Sequence, residues 1–225
     1  MKKIVTVLMM SALLIIVGCS SNDESIQEQN GKITIVTTIS QIGEPLSVIG
    51  GNRVNVESLM GPSVDPHLYQ ATQSDIQKID NAEIIFYNGL DLEINLVDMF
   101  HEISKSKPVL AVGETVPEES LLIDEDGALD PHIWFDLELW QQALDAAVEE
   151  LKAYSPEDAD YFEENKVKYF AQLEELKKET EKLAEIPAEQ RILVTAHDAF
   201  GYFGRMHDIQ VVGLQGLSTE AKIGV

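Results

Sequence analysis

Five histidines punctuate the 225-residue chain, and three of them share a setting that the other two lack. His67 and His132 each close an Asp-Pro-His triplet, Asp65-Pro66-His67 and Asp130-Pro131-His132, while His197 and Asp198 follow the run ILVTA directly. Proline fixes its own φ and biases the residue before it towards extended backbone, so each triplet presents its imidazole from a stiff loop. Rigid presentation is what a preformed metal site requires. A neighbouring aspartate can accept the second ring N–H of a ligand histidine, which fixes its tautomer and raises its basicity, or it can cap a turn. The sequence leaves both roles open for Asp65 and Asp130. His101 falls within a helical stretch and His207 in a turn after Arg205-Met206, and both are read as surface residues.

The elements that must hold these residues alternate. KITIVTTI at 32 to 39 is β-branched and reads as a buried strand, with a helix and a glycine stop after it and a second strand near 53 to 59. A helix at 73 to 80, a strand at 82 to 89, a helix at about 92 to 104 and a strand at 108 to 112 continue the pattern. Strands alternating with helices imply an α/β fold with a mostly parallel sheet covered on both faces. A helix from about Leu137 to Ala153 precedes a second one that runs to Pro187, with Ser155 as N-cap, Pro156 at the first helical position and Asp158 completing a capping-box analogue. At 1.5 Å per residue its roughly 30 residues span about 45 Å, longer than one small domain needs. Phe162, Tyr169, Leu173, Leu176 and Leu183 form its apolar stripe.

Beyond Pro187 the strand-helix-strand plan starts again, and ILVTAHDAFGYFGRMHDIQVVGLQG echoes the start of the first region. Two similar lobes with mostly parallel sheets, joined by one long helix, are therefore expected. Residues 32 to 135 form the first lobe, 136 to 186 the helical segment and 187 to 225 the start of the second. A cleft beyond the carboxyl ends of the strands is the expected binding place.

The amino terminus has a different character. Lys2 and Lys3 lead into an apolar run from Ile4 to Val17 that is too short to span a bilayer comfortably, which marks residues 1 to 18 as a secretory signal peptide. Ile16-Val17-Gly18-Cys19 resembles a bacterial lipobox, so Cys19 is the expected lipidation site and residues 19 to 31 a polar tether. Cys19 is the only cysteine, so no internal disulfide staples the fold. The formal charge is −23, which argues against nucleic acid as a partner. Most of these carboxylates read as solvated helix surface.

With these residues in place, the chain resembles the solute-binding receptors of zinc and manganese ABC transporters. The resemblance runs through VTTISQIGEPLSVIGG, GPSVDPHLYQATQSDIQKI, AEIIFYNGLDLE, DPHIWFDLELW, VTAHDAFGYFGR and GLQGLSTEAKIGV. It implies two lobes joined by a long helix, with His67 and His132 as ligands from the first lobe and His197 from the second. It implies Zn2+ or Mn2+ as the transported ion and the permease of an ABC importer as partner. An extracytoplasmic monomer, held to the cell membrane through lipid on Cys19, is expected. Two departures stand out. No histidine-rich loop precedes His132, and the sequence stops at Val225 where the family continues, so the second lobe is expected to be incomplete and the family's downstream Asp or Glu ligand lies outside it.

Two other classes compete. Three protein ligands plus water also describe a catalytic zinc site, but no HExxH helix, GxSxG elbow or Walker A sequence supports a hydrolase. A surface adhesin or interaction lipoprotein fits the tether and lipobox but leaves the two Asp-Pro-His loops without a purpose. The reading is therefore a binding receptor and not an enzyme.

Overall fold

The computed structural model describes residues 31 to 124 and 127 to 219. The signal peptide, Cys19 and nearly all of the tether lie outside the described residues.

The β-branched run forms β1 (Ile33–Thr37), followed by α1 (Ser40–Gly50) and β2 (Val54–Ser58). α2 (Gln73–Asn81), β3 (Ile84–Tyr87), α3 (Val97–Ile103) and β4 (Val109–Ala111) complete a four-stranded sheet of order β2-β1-β3-β4. Every pairing is parallel, with Ile35 opposite both Val56 and Ile84 and Phe86 opposite Leu110. A sheet covered on both faces needs continuous apolar strands, and Ile35, Val36, Ile84, Ile85 and Phe86 are indeed all buried. α4 (Leu137–Tyr154) contributes Ala143, Leu144, Ala147 and Leu151 to the same core. Its N-cap is Asp136, whose carboxylate accepts the backbone N–H groups of Glu138 and Leu139.

α5 (Ala159–Thr180) is the long helix, and its 22 residues span about 33 Å, shorter than the sequence suggests. Its ends tighten into 3₁₀ turns at Pro156–Asp158 and Glu181–Glu185. Ser155 does not cap a backbone amide: its hydroxyl meets the Asp158 carboxylate at 3.2 Å, so the expected capping box does not form. α5 packs against α1 and α4. Phe162 and Leu173 are buried there, but Leu176 is 48 % exposed.

The second region begins with β5 (Ile192–His197), α6 (Gly201–His207) and β6 (Gln210–Gln215), with the two strands paired in parallel. This β-α-β unit has the same plan as β1-α1-β2, and the α/β architecture with two parallel sheets agrees with the sequence reading. His207 is the last helical residue and not part of a turn, since the left-handed Asp208 (φ 53°, ψ 47°) ends the helix one residue later. Ile192, Val194, Val212 and Leu214 share one exposed sheet face. Phe200, Phe203 and Val211 are half-buried, Val211 lying on the opposite face of β6 by the period of two.

One further difference bears on the site. The helix expected from about 92 begins only at Val97; residues 92 to 96 form turns, and Gly89, Leu90 and Asp91 just before them all have positive φ (76°, 55° and 61°).

Candidate metal centre

The first Asp-Pro-His triplet lies between β2 and α2. Asp65 uses one carboxylate oxygen to accept the His67 backbone N–H at 3.0 Å and the other to accept the Thr219 hydroxyl at 2.7 Å. Asp65 therefore takes the turn-capping role and has no hydrogen bond to the His67 ring. Asn95 donates to the His67 carbonyl at 3.4 Å.

The second triplet takes the other role as well. Asp130 Oδ1 accepts both the His132 backbone N–H at 3.0 Å and the ring Nδ1–H at 2.7 Å. The main chain here is held from three sides. Asp130 donates its N–H to the Leu122 carbonyl, the Tyr202 hydroxyl donates to the Asp130 carbonyl, and the Asn88 amide donates to the Pro131 carbonyl. Asp130 and His132 are each 3 % exposed, so solvent does not screen their pairing. Trp134 packs edge-on to the His132 ring at 5.3 Å.

His197 closes β5, and its Nδ1 donates to the Gly216 carbonyl at 2.9 Å. The close approach of Asp198 to β6 requires Gly213, where an added Cβ would meet the Asp198 Cβ at 2.5 Å.

The three rings converge. Their centroids are 5.0 to 5.3 Å apart, and His132 Nε2 lies 3.3 Å from His67 Nε2 and 3.2 Å from His197 Nε2. In the neutral forms of His132 and His197 the Nδ1 atoms carry the proton, because a carboxylate and a carbonyl only accept. Their Nε2 atoms then present lone pairs to one another, an arrangement stabilised by a cation between them. Nitrogen ligands at 2.0–2.1 Å around a tetrahedral zinc are spaced by about 3.3 Å, which is the spacing observed. Among the described residues, His67, His132 and His197 form the group able to hold a metal, and it includes no carboxylate.

Electrostatics favour neutral imidazoles. Burial, followed by the nearby His132 and His197 rings, pushes the His67 pKa down to about 4. His197 is lowered as well, by burial first and His132 second. Asp198 is raised, chiefly by burial and then by Asp130.

All three candidate ligands are thus brought together, whereas His101 is exposed on α3 and His207 packs against Phe203. The parts that sequence reasoning missed are Asn88, Glu93, Tyr202, Thr219 and the Gly216 carbonyl. A signal was present for one of them: Asn88 directly follows the apolar run IIFY, which is apolar enough to be buried.

The chain is similar in sequence and fold to known proteins. The family model for ZnuA, zinc-uptake complex component A, periplasmic, matches residues 35–225. The manganese-binding lipoprotein MntA of Bacillus subtilis is 40% identical over 216 residues, covering 95% of this chain and 70% of MntA. The zinc-binding protein TroA of Treponema pallidum is 42% identical over 194 residues, covering 86% of this chain and 63% of TroA. The solved structure of that TroA superposes with a TM-score of 0.84, over 87% of this chain and 71% of that one. An Fe(III)-bound YtgA from Chlamydia trachomatis gives a TM-score of 0.77 at 28% identity, over 86% of this chain and 73% of that one. By its sequence over nearly the whole described region and by its fold, the chain belongs to the family of periplasmic zinc-uptake complex component A proteins.

Proposed function

We propose that this protein captures a divalent transition metal, zinc or manganese, outside the cytoplasm and hands it to the permease of an ABC importer. The ligands in this reading are the Nε2 atoms of His67, His132 and His197. The observation that carries it is their spacing of 3.2 and 3.3 Å around His132, with lone pairs facing inward. The names of similar proteins support a binding role: MntA is described as manganese-binding and TroA as zinc-binding. Three imidazoles favour zinc over manganese in raw affinity. Supply in the cell then decides which ion is carried.

Anchoring follows from the lipobox-like sequence at Cys19, and relatives named as lipoproteins support it. The protein acts as a monomer in this reading. Release proceeds by local opening of ligand loops. α6 is fastened to the first region by Tyr202, by the Arg205 donation to the Ser120 carbonyl at 2.7 Å and by an Arg205–Asp136 ion pair at 2.9 Å, which limits separation at that side. The His67 loop is tied to the second region more lightly, through the Asp65–Thr219 bond.

The test is metal uptake in a strain lacking the gene. Loss of zinc or manganese accumulation, restored by the native gene and not by His132→Ala, is the expected result. Unchanged uptake combined with a loss of surface attachment would point to an adhesin instead.

A further inference from the structure

The turn at Gly89 to Asp91 is conformationally costly, and its partners explain what it supports. Left-handed backbone at a β-carbon-bearing residue is disfavoured, yet Leu90 and Asp91 both adopt it in succession. The turn is held from inside by Glu93, which is 1 % exposed. Its carboxylate accepts the Thr38 hydroxyl at 2.5 Å, the Asn88 backbone N–H at 2.9 Å and the Gly89 N–H at 3.1 Å. All three of these partners are neutral groups, a hydroxyl and two backbone amides. Burial pushes the Glu93 carboxyl above the usual carboxylate range, and a polar group buried this deeply without a cation is retained against a stability penalty that an apolar residue of similar volume avoids.

The turn in turn presents Asn88, which is fully buried. Both side-chain N–H groups are used, one on the Gly89 carbonyl and one on the Pro131 carbonyl, each at 3.0 Å. The Asn88 backbone is fixed by the Gly113 N–H at 2.8 Å, and a Cβ at Gly113 would stand 2.7 Å from the Asn88 carbonyl oxygen. Thr38 follows β1 directly and donates its N–H to Phe86 of β3. A chain of hydrogen bonds therefore runs from the carboxyl ends of the two central strands, through Glu93 and Asn88, to the residue before His132.

We propose that Asn88 and Glu93 are positioning residues for the metal site, holding the Asp130-Pro131-His132 loop where the His132 Nε2 meets those of His67 and His197. The inference rests on the metal-binding reading above. Neither residue touches the metal, and their effect is transmitted by the Pro131 carbonyl to the His132 ring. Ligands placed by buried hydrogen bonds keep their geometry when the ion is absent, so loss of the network loosens the coordination sphere itself.

The test uses zinc affinity by chelator competition, the ligand-field spectrum of the Co2+-loaded protein, and apo-protein melting. Asn88→Ala and Glu93→Gln are expected to weaken zinc binding by about 10- to 100-fold and to shift and broaden the Co2+ bands. Glutamine at 93 must turn its NH2 towards the backbone N–H of either Asn88 or Gly89, which only donate, so its near-identical size does not rescue the site. His101→Ala is the control and leaves both readouts unchanged. Variants that melt lower but bind zinc with wild-type affinity and give the wild-type Co2+ spectrum would overturn the proposal, because the network would then be merely structural. Should either variant fail to fold, Thr38→Val removes one bond to Glu93 alone, and the same two readouts decide. A wild-type protein that binds neither ion sinks the metal-binding reading itself; binding by wild type with unaltered variants sinks only this inference.

Discussion

His132→Ala lowers zinc affinity by more than a hundredfold, the largest effect expected of any single substitution. Structural zinc sites with four ligands bind with roughly 10–16 kcal/mol, or about 3 kcal/mol per ligand, and each 1.4 kcal/mol is tenfold in affinity. His132 is central to the cluster, since it makes both of the close Nε2 approaches. Its removal also strands Asp130, 3 % exposed, without its ring partner, which adds the penalty of an unpaired buried charge. Asp130→Asn is expected to lose less, about 10- to 100-fold, because the amide oxygen still accepts the ring Nδ1–H while the charge that raises the ligand's basicity is lost, and the ligand itself remains. Asp65→Asn disturbs only the turn and the Thr219 contact, so its effect is smaller again. Competition titrations check the order, and comparable losses for His101→Ala and His132→Ala would contradict it.

The stability of the metal-free protein falls as pH drops from about 6.5 to about 4, and His67 is responsible for much of the fall. The sign follows from the depressed pKa. Unfolded, the imidazole titrates near 6.5; folded, burial and the two neighbouring rings hold it at about 4. Between these values the unfolded chain binds more protons, so acidification favours unfolding, and above 6.5 the contribution is fully retained. A displacement of this size corresponds to a contribution on the order of 3 kcal/mol. His197, lowered for the same reason, acts in the same direction. Zinc binding is affected in the opposite sense: a ring that resists protonation remains available to metal, so proton competition at His67 sets in near pH 4 and not near the 6.5 of a free imidazole. Denaturation of apo wild type and apo His67→Gln from pH 7.5 to 4 isolates the term. The wild-type advantage or deficit must change by kcal/mol amounts across that window, and a difference that stays constant would contradict the assignment.

What could be seen in the sequence was whatever short-range chemistry determines. The β1 run is β-branched throughout, and the two Asp-Pro-His triplets carry their stiffness in the proline, so the strand and the candidate ligands were legible together. The division of labour between Asp65 and Asp130 was not. Identical triplets act differently because Thr219 occupies one aspartate while the His132 ring turns back onto the other, and that depends on residues 154 positions away. The helix expected from about 92 starts five residues late, and the turn ahead of it was not legible, because that turn is held by a Glu93 carboxylate whose hydroxyl partner is Thr38, 55 residues upstream. Leu176 fitted an apolar stripe by spacing, but a stripe marks burial only as far as a neighbouring element covers it.

The most direct measurement is X-ray absorption at the zinc edge of protein loaded with one equivalent of zinc. Three imidazole nitrogens at about 2.0–2.1 Å, completed by an oxygen donor, are expected, with the imidazole signature reduced by one in His132→Ala. A shell of oxygen donors alone, or one unchanged when His132 is removed, would contradict this assignment.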